Sequence, residues 1–170
     1  MFDPACKGSS SPAYRPGMLP QLNLTAKGDL AEMRVASDLL SRGYRIAFPF
    51  GEDFYFDLIL IAGKSLLRVQ VKHAESDGAV IPLRCSSHSL TNGKIRRTKH
   101  YTAETIDLLA VYDRGTDSCY YLPATNLGTG RSLLHLRLVP AKNGQRIGTR
   151  LARDYRDPAR AIKALSKAVA

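Results

Sequence analysis

The chain has 170 residues, 44% of them hydrophobic and 24% charged, enough apolar material for one sizeable core but hardly two. Its 25 Lys plus Arg against 15 Asp plus Glu give a net charge of +10 and a sequence pI near 9.8, a balance suited to a polyanionic partner, nucleic acid first. The longest apolar runs, such as Leu58 to Ala62, fall far below the roughly 18 residues of a membrane span, so no membrane association is expected.

The opening residues, MFDPACKGSSSPAYRPG, put Pro, Ser and Gly where a secretory signal would need an unbroken apolar stretch, which points to a cytoplasmic protein. Residues 1–24 hold four prolines and no usable periodicity and read as a flexible arm, leaving 25–170 as a single domain. Thr25 can cap a first helix, in which Leu30, Met33, Val35, Ala36, Leu39 and Leu40 recur at helical spacing until Gly43 supplies the stop. Three β-type segments follow, Tyr44 to Phe50, Tyr55 to Ile61 and Leu66 to Ala74, and they read as an antiparallel meander that Ala79 to Arg84 extends. Cys85 to Tyr101 is polar and basic, contains Asn92-Gly93, and reads as a mobile or DNA-facing loop. Strands at Asp107 to Tyr112 and Cys119 to Pro123 flank the turn Asp113 to Ser118, after a possible helical turn at Thr102 to Ile106. A last strand spans Leu133 to Val139, and Asp157 caps a final helix that begins at Pro158. The order predicts an α/β (α+β) fold, a mixed sheet flanked by helices.

Charge is unevenly placed. Residues 1–83 balance nine Lys/Arg with nine Asp/Glu, whereas 84–170 hold sixteen Lys/Arg and six Asp/Glu, the whole of the excess. One cluster is Lys94, Arg96, Arg97 and Lys99; another is Lys142, Arg146, Arg150, Arg153, Arg156 and Arg160. A solvated face explains any single arginine, but together they read as a nucleic-acid track. The three cysteines, Cys6, Cys85 and Cys119, lack C-x-x-C spacing and read as free thiols.

The segment FYFDLILIAGKSLLRVQVKHA carries the chemistry. Asp57 is the only acid in an apolar strand, and a buried carboxylate needs a cation or donors nearby. In the next strand Leu67, Val69 and Val71 alternate with Arg68, Gln70 and Lys72, so the hairpin can bring Gln70 and Lys72 beside Asp57. A carboxylate, an amide oxygen and the backbone carbonyl of Val71 would form a hard oxygen site of the kind that holds Mg²⁺. The same alternation also describes a wet strand face, and Asp beside Lys a plain ion pair. Glu32 aligns with Val35, Ala36 and Leu39 on the first helix, which points its carboxylate from the edge of the apolar stripe toward the sheet. His73 falls on the opposite strand face as a packing or surface residue, and His88, His100 and His135 lack ligand spacing. Tyr101 could stack on a base or anchor a core segment, and Arg84 could meet the scissile phosphate or simply solvent.

A helix acid, then F-D-L, then a Q-V-K tripeptide thirteen residues after Asp57 resembles the PD-(D/E)XK nuclease superfamily. Most members have Glu or Asp where Gln70 stands. The Q-x-K form, with DLLAVY, CYYLPA and LLHLRL downstream, resembles the branch of group I intron-encoded homing endonucleases, over roughly residues 25 to 155. Phe56 occupies the place of the usual Pro before Asp57. The resemblance implies a restriction-endonuclease-like core and metal-dependent hydrolysis of DNA phosphodiesters, with Mg²⁺ as cofactor and Mn²⁺ able to substitute. It implies Asp57, Gln70 and the Val71 carbonyl as metal ligands, Lys72 beside the attacking water, and Glu32 holding a further water or metal. Arg84, Lys94, Arg96, Arg97 and Lys99 are the expected contacts to double-stranded DNA. Long recognition needs more surface than one chain offers, so a homodimer or homotetramer is expected. A Holliday-junction-resolvase-like nuclease and a catalytically inactive DNA-binding module on the same fold are the alternatives.

Overall fold

The computed structural model describes residues 22–51, 54–91, 94–140 and 148–168, without the side chains of 88–97 and 167–168. Residues 1–21 of the expected N-terminal arm, with Cys6, the Asn92-Gly93 turn, and Lys142 and Arg146 lie outside the described residues, while the arm's expected last residue, Leu24, already belongs to the first helix.

Helix α1 spans Leu24–Ser41. Asn23, not Thr25, caps it: its side-chain oxygen accepts from the Ala26 N–H at 2.8 Å, a contact typically worth about 1 kcal/mol. Gly43 at φ 83° lets the chain leave the helix at its far end. The face built on Ala31, Val35, Ala36 and Leu39 is buried, whereas Met33 and Leu40, expected on the apolar stripe, are exposed.

Five strands form the main sheet in the order β1-β2-β3-β7-β8. They are β1 Arg45–Ala47, β2 Leu58–Ala62, β3 Ser65–Ala74, β7 Leu108–Asp113 and β8 Ser118–Pro123. Neighbours are antiparallel except β3 and β7, which run parallel, so the sheet is mixed and the fold is α+β. The meander stops at β3. The next strand, β4 (Val80–Arg84), pairs instead with β9 (Leu133–Arg137) in a separate two-stranded sheet. The stretch read as a loop is a third sheet, the antiparallel hairpin β5 (Ser86–Thr91) and β6 (Lys94–His100). Its polar sequence carries no apolar alternation to reveal it.

The pleat of β3 sorts its side chains into two cores. Val69 and Val71 pack with Leu58, Leu60, Leu108 and Ala110 under α1 and helix α2 (Pro158–Ala168), which is held at its start by Asp157 accepting from the Ala159 N–H at 2.9 Å. On the opposite face Leu109, Val111, Tyr120 and Leu122 pack against Ile81, Leu83, Leu134 and Leu136 of the β4–β9 sheet. Both helices therefore cover one face, and strands cover the other. Fully enclosed leucines such as Leu39, Leu58 and Leu108 contribute roughly 1.5–3 kcal/mol each. Cys85 and Cys119 are buried free thiols.

Two polar fixtures lock β3 to β7. At one end Arg68 donates from its backbone and guanidinium to both Asp107 carboxylate oxygens, at 2.7 to 3.1 Å. At the other, Asp113 is fully enclosed and accepts from the Ser76 N–H and hydroxyl and the Thr116 N–H and hydroxyl, at 2.7 to 3.0 Å. These bonds hold rigid the strand that carries Gln70 and Lys72.

Candidate active site

Pairing between β2 and β3 begins at Leu58 opposite Val69, so Asp57 stands where β2 starts and the C-terminal half of β3 extends beyond it. The Asp57 N–H still reaches the Val69 carbonyl at 2.9 Å. Its carboxylate turns onto β3, where one oxygen, Oδ2, accepts from the Val71 N–H at 2.7 Å and from the Gln70 side-chain amide. The same amide nitrogen donates to the Val71 carbonyl at 3.1 Å. A carboxylate oxygen and a carbonyl oxygen thus converge on a single donor group.

That convergence tests whether a hard cation fits. Two oxygens already facing one electropositive group supply two ligands of the sort Mg²⁺ prefers, and turning the Gln70 amide over its last bond presents a third. The donors that converge here, the Asp57 carboxylate and the Val71 carbonyl, are oxygens, the ligand type that suits Mg²⁺; among the described residues no three His, Cys, Asp or Glu side chains come together.

Electrostatics lead to the same place. Burial pushes the Asp57 carboxyl above the ordinary range, against the Val71 N–H, the Lys72 charge and the Gln70 amide, which lower it. Glu32, half-buried on α1, is pushed up to about 7, first by burial and then by the charges of Asp57 and Asp29, with Lys72 pulling it down. Helix α1 therefore delivers its acid close enough for Asp57 and Lys72 to act on it. Two carboxylates that resist ionising side by side form a site where a divalent cation is favoured.

Lys72 projects over the face of Tyr101, its Nζ 5.0 Å from the ring centroid. Tyr101 is 2% exposed and belongs to the core, which removes it as a base-stacking residue and makes it a platform for the lysine. Of the polar residues alternating on β3, Gln70 and Lys72 enter the site, while Arg68 is committed to Asp107. His73 packs edge-on to Tyr112 on the opposite face, and its Nε2 is buried without a partner.

Arg84 ends β4 opposite Leu133 and is exposed. Lys99 lies with its Nζ 5.2 Å from the Tyr55 centroid. Lys94, Arg96 and Arg97 are in β6, and their side chains lie outside the described residues.

Sequence reasoning missed the other wall of the cleft. Phe48, Pro49, Gly51, Phe54 and Phe56 line the same depression as Glu32 and Asp57. The signal was present: of the five phenylalanines in the chain, four fall at positions 48, 50, 54 and 56.

Residues 22–158 match the family model described as PD-(D/E)XK endonuclease. In fold the chain is similar to the bacterial homing endonuclease I-Ssp6803I, with a TM-score of 0.63 and 21% identity over 86% of this chain and 95% of that one. No curated protein matches.

Proposed function

The chain belongs to the PD-(D/E)XK endonuclease family, and from that premise we propose that it is a Mg²⁺-dependent enzyme that hydrolyses phosphodiester bonds of double-stranded DNA at a specific sequence, in the manner of a homing endonuclease. The observation that carries this reading is the convergence of the Asp57 carboxylate and the Val71 carbonyl on the Gln70 amide, with Glu32 and Lys72 beside them.

Asp57, the Val71 carbonyl and the turned Gln70 amide would hold the cation. A divalent ion bound there supplies polarisation of the phosphate oxygens. Lys72, kept extended over Tyr101, offsets charge that builds on the phosphate as the attacking oxygen closes. Glu32, which shares the cleft with Asp57 and feels the Lys72 charge, would be ionised by a cation bound beside it and could then take a proton from the attacking water. Gln70 brings one charge fewer than the acid usual at its position, so a cation held here would bind modestly without DNA and would draw further charge from the substrate phosphate.

DNA approaches along Arg84 and the β5–β6 hairpin, where Lys94, Arg96, Arg97 and Lys99 neutralise backbone phosphates. Two strands require two such sites, which a homodimer or homotetramer provides.

The test is cleavage of a supercoiled plasmid library with random inserts, and of a four-way junction, in Mg²⁺, Mn²⁺ and EDTA. Wild type, Asp57→Ala and Lys72→Ala are compared, with DNA binding measured in parallel. Metal-dependent cutting by wild type alone, with all three binding, supports the proposal. Equal cutting by all three would mean the site is elsewhere. Binding without cutting, even in Mn²⁺, would leave an inactive DNA-binding module, and cutting of the junction alone a resolvase-like enzyme.

A further inference from the structure

The aromatic wall has no role in metal binding, yet it borders the carboxylates directly. Phe48 is 51% and Phe54 46% exposed, an unfavourable placement for two large apolar rings unless something covers them. Phe54 is braced rather than loose: its ring centroid lies 5.2 Å from that of Phe56 at an interplanar angle of 43°. Phe56 in turn packs against the core on the β4–β9 side. The Phe54 ring is therefore presented to the cleft by a fixed support.

One cleft thus joins a metal-suited oxygen set, Asp57 with Glu32, to a wall formed by Phe48, Pro49, Phe54 and Phe56. A nucleotide has the same two-part character, an anionic phosphate and, one sugar away, a flat aromatic base. In an intact duplex, however, the base faces are covered by their stacked neighbours and an aromatic side chain cannot reach them. The charge of +10 favours a polyanion over a second copy of this basic chain as the occupant. We infer that the Phe48–Phe54 wall receives a base unstacked from the duplex beside the scissile phosphate, so that the cleft takes locally opened DNA. This inference rests on the proposed nuclease reading and adds to it the state of the bound nucleotide. Base–aromatic stacking is tolerant of sequence, so the wall contributes grip and distortion whatever the target.

Opening costs less where pairing is already broken. A 30-base-pair duplex with a central three-nucleotide mismatch bubble is compared with the fully paired duplex, in Ca²⁺ to follow binding. Wild type is expected to bind the bubble about tenfold more tightly. Phe54→Leu keeps the apolar bulk and loses the π-face, so it should abolish that preference, the bubble losing more affinity than the paired duplex. The chain has no tryptophan, so Phe54→Trp installs a single reporter, expected to keep the preference and to be quenched by both DNAs on binding, at a lower concentration by the bubble. Equal binding of both DNAs by wild type, or an unchanged preference in Phe54→Leu, overturns the inference while leaving the nuclease reading standing. Concentration-dependent self-association lost in Phe54→Leu, with no effect on the DNA preference, overturns it in favour of a second copy on the wall. Loss of metal-dependent cutting in Asp57→Ala, scored separately, reports on the nuclease reading alone.

Discussion

Two carboxylates mark opposite uses of the same strand. Asp113, next to the end of β3, is fully enclosed and surrounded by four donors from Ser76 and Thr116. Asp57, beside the middle of β3, receives two donors on one oxygen and is pushed toward its neutral form by burial. A carboxylate whose lone pairs are answered by the protein serves the fold. One that is left short, with a second acid nearby, is arranged for a ligand that the protein does not itself supply.

Removing each acid should separate these uses. The largest effect is expected on cleavage: Asp57→Ala should lower it by on the order of 10³-fold. Its thermal unfolding should match wild type or rise slightly, because the lost charge was disfavoured by burial. Asp113→Ala should do the reverse, costing about 3 kcal/mol by stranding four donors. That corresponds to a melting temperature roughly 10 °C lower, with cleavage per folded molecule unchanged. A destabilised Asp57 variant and a stable Asp113 variant would erase the distinction.

How far the sequence revealed this arrangement depended on distance along the chain. Asp57, Gln70 and Lys72 were legible because one hairpin carries them, and alternation fixes their faces. Glu32 was legible from helical spacing alone. Partners set by long-range packing were not: Asp107 meets Arg68 across 39 positions, and β9 pairs with β4 from Val80 opposite Arg137 to Arg84 opposite Leu133. The β5–β6 hairpin was hidden because SSHSLT and KIRRTKH carry no apolar period. Met33 and Leu40 misled in the other direction, since hydrophobicity marks what can be buried and not what is.

Acidity sharpens the comparison further. The Glu32 carboxyl rises on folding from 4.5 to about 7, so the folded state favours its protonated form. Its stabilising contribution is complete below about pH 4.5 and is lost as pH rises through about 7. With solvent reaching the half-buried group, the loss is ~1–2 kcal/mol. Metal-free protein should therefore melt at lower temperature at pH 8 than at pH 5. Glu32→Gln should flatten that slope, and Mg²⁺ should raise the melting temperature more at pH 8 than at pH 5. An identical slope in Glu32→Gln would place the effect on another group.

The smallest change is at Gln70. Replacing it with Glu restores the charge usual in the family and should tighten Mg²⁺ binding about tenfold, measured by calorimetry without DNA. A weaker site in Gln70→Glu would mean that position 70 does not face the cation.

The β5–β6 hairpin pairs with no other described strand; the Tyr101 N–H donating to the Cys85 carbonyl at 3.3 Å closes its base, and the Cys85 N–H donating to the Ser132 carbonyl at 2.9 Å and Lys99 over the Tyr55 ring join it to the rest. Such insulation has an evolutionary consequence. If the hairpin grips DNA as proposed, substitutions toward its tip can alter which DNA is gripped while leaving the two cores as they are. A lineage could then retarget by small steps, each leaving a folded protein, because the hairpin's ladder is separate from that of the main sheet.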